Sequence, residues 1–471
     1  MGWSNQAVVL VVLEEEAVGF SGLFGYSPYA GPGNLLLSAA ARQGTDPDDN
    51  EYLPGLATYG TGAYSGLVAM QLYKQSLTWY GASSETGPWI AINALALEPI
   101  MGAVSTTGSF EIAGAEVWIK PTGDTSGATD TVHINDYLAA GYTVHLLPGQ
   151  YYVDDTITVP TGGALVGPFP VQADTNSGYG AGDLALQGPV IHAAGAFTGD
   201  DPPPAVIECY NSTDTQEGGQ VLANFSIEAN TTPSGSGVFG ILLHGAVAAG
   251  YISGVTVHRP DGACLRVQTD TGTGYVPDQW TVENCTFAAS RSSHGVQADI
   301  MPDSSFVNCL SHNNAMDGWH IGGFDNSRMI GCKGENNGNA GFHLGGLSVT
   351  DWPCEFTSCT SQLNQEDGWL FDNSLSGVFA TYLLTGCRSM EDGQAGGTTY
   401  AGFRSSGNIS RIMATGALVV ADATGPYYGA AEESSSYGMC FTASSLGGVH
   451  AATYDDGSNT HALVNQEPVP F

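Results

Sequence analysis

Positive charge is scarce in this chain. Its 471 residues include 11 Lys and Arg against 46 Asp and Glu, which gives a formal net charge of −35. Nucleic acid or an anionic membrane surface is bound through a basic face that displaces counterions. We therefore expect neither nucleic acid nor a membrane as a partner.

Long apolar runs are also missing. The run from Ala7 to Leu13 has no basic residue before it and is followed by three glutamates, so it lacks the charge pattern of a signal peptide. No stretch of about 18 apolar residues occurs, so no membrane-spanning helix is predicted. The nine cysteines are odd in number and form no CxxC pair. We expect reduced, buried thiols and assembly in a cytoplasm.

An internal repeat from residue 220 to residue 445 is the main positive feature. One motif places an apolar residue three positions before a small apolar residue or Cys: Leu222/Phe225, Ile252/Val255, Val282/Cys285, Phe306/Cys309, Met329/Cys332, Phe356/Cys359, Leu384/Cys387, and a weaker copy ending at Ala417. A second motif, Gly-apolar-any-apolar, alternates with it and starts at Gly240, Gly262, Gly295, Gly318, Gly341, Gly368, Gly402 and Gly438.

Two short period-2 segments per copy, without helical periodicity, fit one coil of a β-solenoid. Leucine-rich repeats and propellers would need a different framework or four strands per repeat. We predict an all-β chain whose main body is a single-stranded right-handed parallel β-helix with a short capping helix.

Stacking of coils assigns the repeated residues to columns. The cysteines become an inward thiol ladder, because their spacing along the axis does not suit disulfides or converging metal ligands. Asn314, Asn337, Asn364 and Asp392 are predicted to form a turn ladder, with sugar binding as the weaker alternative. The middle residues of the second motif form an outward row: Leu242, Cys264, Gln297, His320, His343, Leu370, Arg404 and Cys440.

The flanking segments give the domain plan. Thr129 or Asp130 can cap a short helix that runs through Leu138 and ends at Gly141. We divide the chain into a β-rich module at 1–118, a linker and capping helix at 119–141, a β-helix at 142–445 with an excursion at 172–204, and a C-terminal cap or trimerisation segment at 446–471.

The segment VHLLPGQY, Val144 to Tyr151, resembles the start of the solenoid in the pectate-lyase-like β-helix superfamily, with Leu147 replacing a proline. That resemblance, from Ile119 to Leu446, implies the fold but not one activity, since lyases, hydrolases, epimerases and phage tailspikes share it. The stretch from Gly22 to Tyr59, which contains GLFGYS, resembles a module of minor tail proteins of tailed bacteriophages. Together they imply a homotrimeric virion tail protein that is attached to tail or baseplate proteins through its N-terminal module.

Carboxylates are the candidate catalytic groups, because a glycosidase needs two of them roughly 5 to 10 Å apart. Asp317 and Asp367 both precede the glycine of the second motif, two coils apart. Asp-Gly is also an ordinary turn dipeptide, so a structural role competes. The alternative carboxylates lie in other loops: Asp303, Asp325, Glu335 and Asp372.

The outward row supplies the candidate ligand-binding residues Gln297, His320, His343 and Arg404. For the two histidines, a subunit interface, a sugar contact and a metal remain open, but we predict no metal site and no cofactor. The aromatic residues Trp319, Phe342, Trp369 and Phe403 alternate with this row, which indicates that they are core.

The resemblances imply a tail spike or fibre that binds host-surface polysaccharide during adsorption. An active depolymerase on the same scaffold is the first alternative, and a purely structural virion component is the second. Since Lys333 is the only lysine of the repeats, a lyase with a lysine base is disfavoured, and an active form would be a glycoside hydrolase.

Overall fold

The computed structural model divides the chain into two units, at residues 1–112 and 113–471. It describes residues 116–168, 188–195, 197, 204–211, 217–230, 235–270, 274–345, 352–373, 381–396, 399–407, 411–421, 426, 428–432 and 439–447, together with strands between 34 and 112 and at 451–455.

The first unit contains an antiparallel sheet of four strands, Asn34–Leu36, Leu67–Tyr73, Ser76–Ala82 and Ile90–Ala94, and a further strand, Phe110–Ile112. Most of the segment from Gly22 to Tyr59 that resembles phage tail proteins lies outside the described residues.

The second unit is a right-handed parallel β-helix with three long sheets, and each coil gives one strand to each sheet. Sheet 1 contains Glu116–Ile119, Thr143–Leu146, Ala164–Val166, Val221–Ala223, Tyr251–Ser253, Thr281–Glu283, Ser305–Val307, Arg328–Ile330, Cys354–Thr357, Thr381–Thr385, Arg411–Thr415 and Met439–Thr442. Sheet 2 contains Gly149–Val153, Pro189–Ala193, Ser226–Glu228, Thr256–His258, Thr286–Ala288, Leu310–His312, Lys333–Glu335, Thr360–Gln362, Arg388–Met390, Leu418–Val420 and Ser445–Leu446. Sheet 3 contains Ile157–Val159, Ala205–Asn211, Phe239–Gly245, Leu265–Gln268, Val296–Ala298, Trp319–Ile321, Phe342–Gly345, Trp369–Asn373, Ala401–Gly407, Tyr428–Glu432 and Ala451–Asp455. The short strands Glu217–Gly218 and Val247–Ala248 pair beside them. The predicted fold class is confirmed.

The bend between sheets 1 and 2 explains the spacing of the first motif. One residue at this bend adopts a left-handed conformation in successive coils, as at Asn284 (φ 53°), Asn308 (φ 52°) and Gly331 (φ 64°). Glycine and asparagine tolerate this region best, which is why they recur just before the cysteines. The bend turns the chain without a longer loop, so the apolar residue and the Cys both face inward.

The cysteine column lies in the core as predicted. Cys285, Cys309, Cys332, Cys359 and Cys387 are buried free thiols. The Cys309 thiol lies 3.4 Å from the carbonyl oxygen of Val282, and the Cys359 thiol lies 3.4 Å from that of Met329, each in the preceding coil. The thiols therefore fill narrow space and satisfy backbone acceptors.

The predicted turn ladder is also confirmed. The Nδ2 atoms of Asn314, Asn337 and Asn364 donate to the Oδ1 atom of the next rung at 2.9, 2.8 and 2.7 Å, and Asp392 ends the series. All four side chains are buried. Burial raises the pKa of the Asp392 carboxyl to about 6, although hydrogen bonds from Ser389 and Asn364 oppose the change.

The aromatic column also lies in the core. Trp319, Phe342, Trp369 and Phe403 are fully buried, and the Phe342 and Trp369 rings stack with centroids 4.0 Å apart. Because none of them reaches the surface, none can be a platform for sugar stacking.

A helix at Ala128–Ala139 packs against the first coil and buries Ile134 and Leu138. The predicted cap is wrong. Asp124, rather than Thr129 or Asp130, accepts the Thr129 N–H at 3.2 Å, and Asp130 is buried and accepts the Tyr152 N–H at 2.9 Å. No helix in the described residues is long and apolar enough to cross a membrane.

Four details of the repeat differ from the sequence-based expectation. Strand Pro189–Ala193 continues sheet 2 inside the predicted excursion, and Ala451–Asp455 continues sheet 3 inside the predicted C-terminal segment. Cys440 lies on sheet 1, since it pairs with Met413, and therefore leaves the outward row. The row position that we gave to Cys264 belongs to Arg266, which pairs with Gln297, while Cys264 is buried.

The substitution Asp392→Asn is expected to stabilise the protein at neutral pH. Asn keeps the acceptor for Asn364 and can donate to Ser389, as Asn364 donates to Ser361 at 2.8 Å. Because the pKa of Asp392 is raised from 3.8 to about 6 in the folded state, ionisation of this carboxyl destabilises the fold. The destabilisation is complete above the folded-state pKa of about 6 and is absent below the ordinary value of 3.8. The gain at about pH 7.5 should be roughly 1 to 3 kcal/mol. Urea unfolding measures it.

The same measurement at about pH 4 should show almost no gain, because Asp392 is then protonated in the folded state. Asn364→Asp, which places a charge in the middle of the ladder, is the matched control and should destabilise. A less stable Asp392→Asn at neutral pH would show that the ladder requires the charge.

Candidate functional site

Sheet 3 presents an outward polar row in the middle of the β-helix. The strand register stacks Arg266, Gln297, His320 and His343 in consecutive coils, and Leu370 and Arg404 follow. Neighbours on the strands point inward, as the burial of Trp319 and Ile321 on both sides of His320 shows. This alternation places the two histidines side by side, with ring centroids 4.5 Å apart.

A second column lies just before these strands, at the residue that precedes the glycine of the second motif. Here the side chain of one coil accepts the N–H of its equivalent in the next coil. Asp317 Oδ1 accepts the Ala340 N–H at 3.0 Å, and Asp367 Oδ1 accepts the Ala401 N–H at 2.7 Å. One coil earlier, His294 Nδ1 accepts the Asp317 N–H at 3.2 Å. The three side chains therefore help to hold adjacent coils together.

The free oxygen of Asp317 is the centre of a histidine cluster. Its Oδ2 atom lies 2.8 Å from His320 Nδ1, 3.1 Å from His294 Nδ1 and 3.2 Å from His343 Nδ1. Asp317 and His294 are nearly buried, while the side chains of His320 and His343 are 34% and 23% exposed. A buried carboxylate thus orients two imidazoles that solvent can reach.

The contacts with Asp317 fix the orientation of the His320 and His343 rings and assign a role to each ring nitrogen. When Nδ1 donates to Asp317, the other ring nitrogen, Nε2, is left for a different partner. For His343 that nitrogen lies 4.0 Å from Asp372 Oδ2. His343 therefore lies between two carboxylates, one buried and one partly exposed.

The electrostatics follow from this arrangement. Burial alone would raise the pKa of Asp317, but its contacts with the imidazole rings of His294, His320 and His343 hold it well below its usual value. Burial alone would lower the pKa of His343, but the hydrogen bond to Asp317 and the nearby carboxylates raise it. For His294 burial prevails, and its pKa is lowered.

A related ion pair lies further along the row. Arg404 Nε is 3.2 Å from Asp367 Oδ1, and both side chains are largely buried. At the other end Arg266 pairs with Asp299 at 2.7 Å. The histidine cluster is therefore bordered by two arginine–aspartate pairs on the same sheet face.

These contacts favour one of the two roles considered for Asp317 and Asp367. Both are buried, and each spends one oxygen on a backbone N–H of the next coil. Because its pKa is held well below the usual value, Asp317 is kept as a carboxylate, which accepts protons and hydrogen bonds rather than donating them. The geometry favours the structural reading, in which the two residues position their neighbours.

The other candidates separate into two groups. Asp372 lies beside the cluster, 4.0 Å from His343, and Gln297 precedes His320 in the outward row by strand register. Asp303 is exposed and accepts a hydrogen bond from the Asn326 side chain. Asp325, the residue before Asn326, is buried in the loop after sheet 3. Glu335 is on sheet 2 and pairs with Lys333 at 2.9 Å. These last three carboxylates are not part of the cluster.

Sequence reasoning missed His294, Arg266 and Asp299. His294 precedes Gly295 just as Asp317 precedes Gly318, so alignment of the column by position would have included it. Arg266 was hidden by the misplacement of Cys264. A buried pair on sheet 2 was also missed, in which His258 Nδ1 lies 2.6 Å from Glu228 Oε2.

Comparison with known proteins identifies the fold. A family model for the right handed beta helix region matches residues 239–403. No curated relative matches the chain.

Solved structures with this fold include the gp42 tailspike of Acinetobacter phage vb_AbaP_AS12, with 13% identity, a TM-score of 0.51 and coverage of 83% of this chain and 68% of that one. The Dettilon tailspike protein gp208 has 10% identity and a TM-score of 0.41, with coverage of 73% of this chain and 66% of that one. The A-module of the Azotobacter vinelandii mannuronan C-5 epimerase AlgE4 has 15% identity and a TM-score of 0.42, and 72% and 95% of the chains are covered. The chain spans about two thirds of the length of both tailspikes. At these identities the likeness establishes the fold alone.

The substitution Asp317→Ala should lower the free energy of unfolding by roughly 1 to 3 kcal/mol, because the buried Ala340 N–H loses its acceptor. Asp317→Asn retains an oxygen there and should cost less. Asp367→Ala and Asp367→Asn form a matched pair in the equivalent position. Chemical denaturation of the four variants checks this, and an Asp317→Ala protein as stable as the wild type would contradict the coil-linking role.

Proposed function

We propose that this chain is a phage tail component that binds polysaccharide on the outward face of sheet 3, around His320 and His343. The observation that carries the proposal is the outward row itself. Polar side chains from consecutive coils lie on a rigid sheet and are fixed by a buried carboxylate. A polysaccharide is also a repeating chain, so a row of equivalent positions can contact several sugar units at once.

The shared fold supports this context. The gp42 tailspike of the Acinetobacter phage has the same β-helix architecture with a TM-score of 0.51. The proposal includes a homotrimer that is part of the virion tail, with the N-terminal unit attached to tail or baseplate proteins and the β-helix in contact with host-surface glycan. In this arrangement the strands supply rigidity and the outward side chains supply specificity.

Binding to a panel of immobilised capsular polysaccharides and lipopolysaccharide O-antigens tests the proposal. We expect retention on at least one glycan, and a loss of affinity of about tenfold or more in the double variant His320→Ala/His343→Ala. Biolayer interferometry measures both.

The control is Thr385→Ala/Met413→Ala, which changes exposed side chains on sheet 1 and should leave binding unchanged. Two results would contradict the proposal: no retention on any glycan, or an equal loss in the control. An equal loss in the control variant would indicate that the glycan binds to sheet 1 instead.

Cleavage of the bound chain is the second candidate function, and His343 favours it. Its ring lies between Asp317 and Asp372, with one nitrogen held by the buried carboxylate and the other beside the partly exposed one. An oriented imidazole next to a second carboxylate is an arrangement suited to proton transfer.

Incubation with a bound polysaccharide should then release new reducing ends. Asp372→Asn and His343→Ala should each reduce the rate by about 100-fold or more, a typical contribution of a positioned acid or base. Thr385→Ala should retain the rate. Unsaturated products would indicate elimination rather than hydrolysis, and a glycan that binds but stays intact would rule out cleavage.

A further inference from the structure

We propose that His294, Asp317 and His320 form a binding site for a divalent transition-metal ion, with Zn²⁺ as the best fit and with His343 beside the site. This goes beyond glycan binding and does not depend on it. Three features point to such a site: the donor atoms converge, one ring nitrogen carries a lone pair next to a carboxylate oxygen, and a backbone N–H holds Asp317 in place.

The donor atoms converge as ligands of one ion do. One donor atom each of His294, His320 and Asp317 lies within 4.8 Å of the other two. The Oδ2 atom is 2.8 to 3.2 Å from the Nδ1 atoms of all three histidines. For zinc bonds of about 2.0 to 2.1 Å in a tetrahedron, ligand atoms are separated by about 3.3 Å. Small side-chain shifts would therefore suffice to bind the ion.

Hydrogen bonds alone account poorly for His294. Its Nδ1 atom accepts the Asp317 N–H, so it carries a lone pair and no proton. The same nitrogen faces Asp317 Oδ2 at 3.1 Å, and that oxygen is also an acceptor. Two acceptors in contact repel each other, whereas a cation between them would be attracted to Oδ2 and would take the Nδ1 lone pair in place of the Asp317 N–H.

The surroundings of Asp317 resemble the support that metal ligands usually receive. Its Oδ1 atom is held by the Ala340 N–H at 3.0 Å, which fixes the direction of Oδ2. The donors come from strands and turns of successive coils and are rigid. His320 and His343 are partly exposed, so an ion can enter from the outer face and keep water on that side.

The donor set selects the class of ion. Two imidazoles and one carboxylate, with water as a fourth ligand, suit Zn²⁺, Co²⁺, Ni²⁺ or Cu²⁺, whereas Ca²⁺ and Mg²⁺ prefer oxygen ligands. The strongly acidic chain raises the local concentration of any cation, so selectivity rather than affinity alone identifies the site.

Titration of metal-free protein with ZnCl₂ in an isothermal calorimeter tests the proposal. We expect one equivalent of Zn²⁺ per chain, and affinity reduced by at least about tenfold in His320→Ala and in His294→Ala. His133→Ala, on the helix, and His258→Ala, at the pair on sheet 2, should bind like the wild type. A tenfold excess of Ca²⁺ should not displace the zinc.

A spectroscopic measurement on the unaltered protein guards against variants that fail to fold. Co²⁺ should give the intense visible bands of a four-coordinate ion with nitrogen ligands, and Zn²⁺ should abolish them. The proposal is overturned if zinc does not bind at millimolar concentration, if binding survives His320→Ala and His294→Ala together, or if His258→Ala removes it. No polysaccharide is present in these experiments, so their result is independent of glycan binding.

Discussion

Hydrogen bonding between equivalent strands of successive coils is the constraint on which the rest of the structure depends. At a rise of about 4.8 Å per coil, each side chain lies over its equivalent in the next coil. A column is stable only if its members tolerate one another at that distance. Thiols that donate to carbonyl groups, amides that donate to the next amide and stacked aromatic rings each meet this condition in the core.

The same constraint explains how much of the fold could be read from the sequence. The distance between the apolar residue and the Cys in the first motif is constant because two residues, one of them left-handed, separate the two strands, as Asn308 and Cys309 do between Ser305–Val307 and Leu310–His312. The second motif is less specific. The residues after Gly262 and Gly438 match the second motif. Strand pairing nevertheless places Arg266, two residues beyond the position that the motif predicts, in the outward row, and it places Cys440 on sheet 1.

The candidate site could be predicted only in part. The adjacency of His320 and His343 follows from the repeat, because outward positions of consecutive coils must be neighbours. That Asp317 is shared by three histidines does not follow. The sharing depends on which oxygen of Asp317 accepts the backbone N–H of the next coil. That hydrogen bond joins two residues whose separation in sequence varies with the length of the turn between them. The sequence shows the residue types but not the direction of Oδ2.

The small residues of the column determine which partners the carboxylates take. His320 pairs with Asp317 of its own coil, but the equivalent residue of the next coil is Ala340, so His343 reaches back to Asp317. Arg404 does the same, because Ala401 offers no carboxylate and Asp367 of the preceding coil does. Alanine at position 340 therefore leaves His320 and His343 to share the buried carboxylate of Asp317. An aspartate in place of Ala340 would give each histidine its own partner, and the cluster would separate into ordinary surface pairs.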